Sequence, residues 1–174
     1  MNTTIPATAI DIYRSLPEGT RCEVLYNQLI MTPAPNTGHQ FLSFKIAGLI
    51  FNFLEENPVG IGAAAPTDVY LTEQQSVVQP DILVIMNENK GIIYDDGIHG
   101  APDIIFEILS GNHIHDTVKK KSLYEEAGVK EYFVIDPANK MVVMFALNAS
   151  GKYDVVYERT GKITSGILAT SFDI

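Results

Sequence analysis

Residues 77–86 read VVQPDILVIM, residues 101–110 read APDIIFEILS, and residues 115–133 read HDTVKKKSLYEEAGVKEYF. The first two are short apolar runs bounded by turn residues, the pattern of β-strands covered on both faces. Each holds an acid, Asp81 or Glu107, where an ordinary core has valine or leucine. A carboxylate placed there loses hydration worth on the order of several kcal/mol unless something compensates. Gln79, Asp81, Leu83 and Ile85 share one face of a strand over 77–86; Asp103, Ile105, Glu107 and Leu109 share one face of a strand over 102–110. If these strands are neighbours, Asp81 and Glu107 approach a common ion. The third stretch predicts a helix closed by Gly128, followed by a strand at 130–136. Strand, helix and strand then form a β-α-β unit with parallel pairing. At about 100° per residue, Lys120 falls in the middle of the inward face beside Leu123, Tyr124 and Ala127, while Lys119 and Lys121 fall at or beyond its edges. Two acids and a lysine at a sheet edge make a metal site with a catalytic base or electrostatic partner. Mg²⁺, or Mn²⁺, is the expected ion, because Mg²⁺ is commonly held by one or two carboxylates plus waters.

Outward from this centre, residues 8–16 read as a short helix stopped by Pro17 and Gly19. TRCEVLY and QLIMT predict a hairpin turned at Asn27-Gln28, with Glu23 mid-strand. Thr37 with Gln40 three residues on is a capping-box pattern, opening a helix to about Glu56 whose Leu42, Ile46, Leu49, Ile50 and Phe53 recur at helical spacing. His39, in its first turn, reads as a hydrogen-bonded packing histidine. VGIGAAA and DVYLT are strands, with Asp68 a strand-start or turn residue. The run 87–100 is a long loop, and 141–169 a β-meander. Asp103 makes a second Pro-Asp pair and reads as a strand-opening residue. The fold class is α/β (α+β): one domain over 1–174, with a central mixed sheet flanked by helices and a C-terminal meander.

The chain has 174 residues, 46% of them hydrophobic, so a full-sized core is available. A net charge of -9 argues against bulk electrostatic attraction to nucleic acid and fits a carboxylate-rich metal site. Cys22 is the only cysteine, which excludes an intramolecular disulfide and a cysteine-based zinc site and makes a reducing cytoplasm the expected compartment. The first residues lack a basic region followed by a long apolar run, and no stretch approaches the length of a membrane span.

Pro80-Asp81 and Glu107 resemble the acids of the PD-(D/E)XK nuclease superfamily, the restriction-endonuclease-like fold. The closer similarity is to the bacterial Uma-two-type family of predicted endonucleases, through EVLYNQLIMTPAPNTGHQ (23–40), VVQPDILVI, GAPDIIFEILS, and HDTVKKKSLYEEAGVKEYFVIDP. The plain motif has a lysine two residues after the second acid, where this chain has Leu109. The family pattern instead carries D-x-x-x-K-x-x-x-Y on the following helix, matched by Asp116, Lys120 and Tyr124. The resemblance implies a metal-dependent DNA endonuclease: Asp81 and Glu107 hold the ion, Lys120 assists the water or the transition state, and Glu23, Asp116 and Tyr124 support them; Gln79, on the strand face of Asp81, is expected to touch the site as well. It also implies DNA as substrate. A homodimer is expected, because cutting two strands needs two sites or two nicks, and the apolar C-terminal meander is its expected interface. The alternative is a catalytically silent member of the same fold that binds nucleic acid or a protein partner.

Overall fold

The computed structural model describes residues 8–17, 19–110 and 114–174, with side chains in the third helix from Val118 onward. In chain order the first elements are α1 (Ala9–Ser15), β1 (Cys22–Leu25), β2 (Gln28–Met31), α2 (Thr37–Glu56), β3 (Gly60–Ala64), β4 (Val69–Leu71) and β5 (Ser76–Val78). Then follow β6 (Ile82–Met86), β7 (Ile93–Tyr94), β8 (Gly97–His99), β9 (Ile104–Ile108), α3 (Ile114–Ala127) and β10 (Glu131–Ile135). The last four are β11 (Met141–Leu147), β12 (Tyr153–Thr160), β13 (Lys162–Ser165) and β14 (Thr170–Asp173).

A central sheet runs in the order β12-β11-β10-β9-β6-β3. Its one parallel pair is β9 with β10, joined by the α3 crossover that the β-α-β reading expects. β6 and β9 are antiparallel neighbours. Their even-numbered residues, Ile82, Val84, Met86, Ile104, Phe106 and Ile108, pack against Leu42, Ile46, Ile50 and Leu54 of α2. Each of those four helix side chains contributes about 1.5–3 kcal/mol by leaving water. The odd-numbered Leu83, Ile85 and Ile105 face the other way, onto Leu123 and Tyr124 of α3 and onto Leu25, Val69, Val78 and Ile98 of a second sheet. That second sheet has the order β2-β1-β5-β4-β8-β7, and α1 lies against it through Ala9. Strand alternation therefore puts Glu107 on the α3 side.

Several expectations shift. The run 77–86 is two strands: β5 ends at Val78 in the second sheet and β6 begins at Ile82 in the central one. Pro80 has no N–H for a ladder, so Gln79-Pro80-Asp81 becomes the crossing between sheets. The first hairpin turns one residue earlier, at Tyr26 and Asn27, both at positive φ (49° and 60°); this is the backbone that a two-residue hairpin loop requires. Asn36, not Thr37, caps α2, accepting from the His39 N–H. The expected loop at 87–100 holds a short 3₁₀ segment and the β7–β8 hairpin. The meander divides: β11 and β12 extend the central sheet, while β13 and β14 form a separate pair. The apolar side chains of that pair, Ile163 and Phe172, are buried with Leu168 and Ile174 on the α2 side of the core. That pair is therefore not an open surface; within the meander the exposed large apolar side chains are Val155 and Val156 of β12.

Candidate active site

The last paired residues of β6 and β9 at one end of the sheet are Ile82 and Phe106. One step further along this register, Asp81 and Glu107 stand opposite each other. Asp81 Oδ2 accepts the Ile108 backbone N–H at 2.7 Å and lies 3.0 Å from His39 Nε2. Glu107 Oε1 accepts the Tyr124 hydroxyl at 2.7 Å and Lys120 Nζ at 3.0 Å. Lys120 and Tyr124 are four residues apart on the inward face of α3, which is why both reach one carboxylate oxygen. Lys120 Nζ also lies 2.9 Å from Glu23 Oε1, which accepts the Gln79 backbone N–H at 2.8 Å. Among the described residues, no donor is paired with Asp81 Oδ1 or Glu107 Oε2. Asp81, Glu107, Glu23, His39 and Lys120 all line one cleft of about 1130 Å³.

The electrostatics follow from three carboxylates sharing one lysine and one histidine. Burial pushes the Glu107 carboxyl up to about 7; Asp81 and Glu23 add to this, and Lys120 and the Tyr124 hydroxyl only partly offset it. Burial alone would pull the Lys120 ammonium down, but Glu107 and Glu23 outweigh it and hold it charged well above its ordinary range. Burial likewise opposes a charged His39, yet the Asp81 hydrogen bond and the nearby Glu107 raise it overall. Lys120 is thus a fixed cation rather than a proton acceptor.

The structure brings together Asp81, Glu107, Lys120, Glu23 and Tyr124. Gln79 does not reach the acids with its side chain, because the bend at 79–81 turns it to Tyr13 and Asp68; its amide donates to Asp68 Oδ1 at 2.8 Å. Its contribution to the site is its backbone N–H on Glu23. The Asp116 side chain lies outside the described residues. His39 is the residue underread from sequence: it is buried, as expected of a packing histidine, but its partner is Asp81. Its place in the first turn after PAPNTG, on the inward face, was the available signal. Asp68, read as a turn residue, also accepts the Tyr13 hydroxyl at 2.7 Å and lines the cleft.

The model of the Uma2 family, described as "Putative restriction endonuclease", matches residues 10–169. The chain belongs to this family. Among solved structures, this Uma2 chain is similar to a "putative nuclease belonging to DUF820" from Anabaena variabilis, with a TM-score of 0.75 and 19% identity over 94% of this chain and 92% of that one. The two-sheet arrangement flanked by helices is the restriction-endonuclease-like fold that the resemblance implies. No curated protein matches the chain. Among the described residues, no helix is long and apolar enough to cross a membrane.

Proposed function

We propose that this Uma2 protein is a divalent-metal-dependent DNA endonuclease with Asp81, Glu107 and Lys120 at its centre. The observation that carries this reading is the opposed pair of acids, each with one oxygen fastened to the protein and the other without a donor among the described residues. Among those residues no three His, Cys, Asp or Glu side chains converge at metal spacing; in this reading the donors are the two carboxylates, Asp81 and Glu107. That set suits Mg²⁺ or Mn²⁺, which take oxygen donors and keep several waters. Burial pushes the Glu107 carboxyl up and Asp81 and Glu23 add to it, and a cation at the same place would offset both effects. Asp81 and Glu107 would hold the ion, which supplies Lewis-acid polarisation of a phosphate and a more acidic bound water.

The chain's own residues do the positioning. The Ile108 N–H and His39 fix one Asp81 oxygen and leave Oδ1 without a donor among the described residues. Tyr124 and Lys120 do the same for Glu107. Lys120, held charged by Glu23 and Glu107, stabilises negative charge building on a phosphate under attack. Glu23 positions Lys120 and is itself fixed by the Gln79 N–H. DNA is the substrate in this reading, and a homodimer supplies two sites for two strands.

A silent, binding-only member of the family remains the second reading. It is favoured by the net charge of -9 and by Asp68, Asp95 and Asp96 along the same cleft. A plasmid assay separates the two. The proposal expects nicking or linearisation with Mg²⁺ or Mn²⁺, none with chelator, and none with Glu107→Gln. No cleavage by the folded protein under any divalent ion, whether or not it retains DNA, would give the function to the second reading.

A further inference from the structure

The outer face of α2 carries a stripe that nothing among the described residues covers. Phe41, Phe44 and Phe51 are 74%, 84% and 61% exposed. With Gly48 and Glu55 they recur at alternating steps of three and four residues. At about 100° per residue these five positions occupy about 80° of helix surface, roughly opposite the buried stripe of Leu42, Ile46, Ile50 and Leu54. Such spacing is the seam along which one helix packs on another. Gly48, at its middle, has no reason among the described residues. Its φ is not left-handed, and a Cβ built there meets nothing within 4 Å. A glycine in mid-helix lowers helix stability, and what it permits is close approach of another backbone.

We propose that this chain forms a two-fold homodimer through α2, the two copies of the helix crossing antiparallel at Gly48. The stripe is self-complementary in that arrangement. Phe44 and Phe51 flank Gly48 on either side, so each copy's Phe44 comes beside the other copy's Phe51. Lys45 precedes Gly48, and Glu55 and Glu56 follow it. Antiparallel copies bring each lysine toward the other copy's glutamates, which parallel copies do not. With a surface of about 200 Å² per phenylalanine, the three rings expose more than about 400 Å² per copy. If the rings are fully covered, two copies with the flanking Lys45 and Asn52 stems approach roughly 1,000 Å², the lower bound for a specific interface. A lipid surface fits less well, because helices that lie on membranes carry rows of basic residues; here Lys45 stands against two glutamates in a chain of net charge -9.

The same helix opens with His39 at the candidate active site. Nine residues separate His39 from Gly48, so the two first turns lie about 27 Å apart along the crossing helices. The dimer thus carries both clefts on one body.

The test is the mass of the full chain by light scattering at tens of micromolar, with neither DNA nor metal. The wild type is expected at twice the chain mass. Phe44→Asp with Phe51→Asp is expected at the chain mass with an unchanged circular-dichroism spectrum. Gly48→Arg, an exposed change that removes no packing, is expected to be monomeric even if the double variant misfolds. Gly48→Cys should oxidise to a covalent dimer, since Cys22 is buried and does not compete. A monomeric wild type overturns the proposal, including one that floats with phosphatidylcholine vesicles. So does a dimer that survives Gly48→Arg, or one that Gly48→Cys does not cross-link. Because no cleavage is read, an inert active site leaves this proposal standing, and a monomer leaves the cleavage reading standing.

Discussion

The chain contains two Pro-Asp pairs, and the central sheet uses them in the same way at opposite ends of the same two strands. Asp81, just before β6, accepts the backbone N–H of Ile108 at the end of β9 at 2.7 Å. Asp103, just before β9, accepts the backbone N–H of Met86 at the end of β6 at 2.8 Å. What differs is the balance of charge around each. Asp103 has an ion pair with Lys130 at 2.7 Å and the Asn89 side-chain amide. One acid there meets one cation, so its charge is answered. At the Asp81 end, Glu107 and Glu23 crowd in, and Lys120 and His39 are shared among three acids. The same backbone-capping device is structural where its charge is answered and available for chemistry where it is not.

The sharpest way to break this comparison is to neutralise each acid in turn. Asp81→Asn keeps an acceptor for the Ile108 N–H but removes a charged donor for the ion, so cleavage should fall by on the order of 10³-fold. Asp103→Asn should leave the rate per folded molecule within a few-fold. Plasmid nicking with Mn²⁺, normalised to folded protein, checks both. Equal losses at the two positions would end the distinction between the two ends.

The next effect concerns the two lysines. The Lys120 side chain is 13% exposed and answers two buried acids, so Lys120→Ala should destabilise the metal-free protein by about 3–5 kcal/mol. Lys130 is 55% exposed, and its buried partner Asp103 keeps the Met86 N–H and the Asn89 amide, so Lys130→Ala should cost less, about 1–2 kcal/mol. Urea denaturation in the presence of chelator measures both. Added Mn²⁺ should restore part of the Lys120→Ala loss and none of the Lys130→Ala loss. Similar losses for the two variants would mean that the charge surplus around Asp81 is illusory.

Much of this contrast was legible from residue order. Glu107 inside an apolar strand, the β-α-β crossover and the helical phase of Lys120 and Tyr124 are local patterns, and local patterns survive folding. Asp103 was read as a strand-opening residue, which it is. What stayed hidden depends on long-range placement. Gln79 shares a face with Asp81 only if 77–86 is one strand, and Pro80 breaks it between two sheets. His39 reaches Asp81 from 42 residues away, across a helix packed on the opposite face of the sheet, and no spacing along the chain encodes that contact. Glu23 comes from a strand of the second sheet, so its pairing with Lys120 also exists only once the two sheets meet.

The smallest expected effect is a pair of opposite pH trends in the metal-free protein. Burial alone would raise the Asp103 carboxyl, but Lys130, the Met86 N–H and Asn89 outweigh it and hold the group below its ordinary 3.8. The unfolded chain therefore takes up this proton first as the pH falls, so Asp103 contributes stability above about pH 3.8 that is lost on acidification. The Asp103→Asn deficit should then shrink below about pH 4. Glu107 runs the other way. Its folded value near 7 lies above its ordinary 4.5, so between these values the folded state holds the proton that the unfolded state has released. Stability falls as the pH rises through that window, and the penalty is complete above about pH 7. His39, raised from 6.5, adds a trend of the same sign only above that value. Thermal denaturation from about pH 5 to about pH 6.5 therefore isolates Glu107. Glu107→Gln should flatten the wild-type decline across this range, and saturating Mn²⁺ should flatten it in the wild type by favouring the ionised carboxylate. A decline unchanged in Glu107→Gln would show that Glu107 is not the group carrying the surplus charge, and Asp81 would no longer differ from Asp103 for the reason argued here.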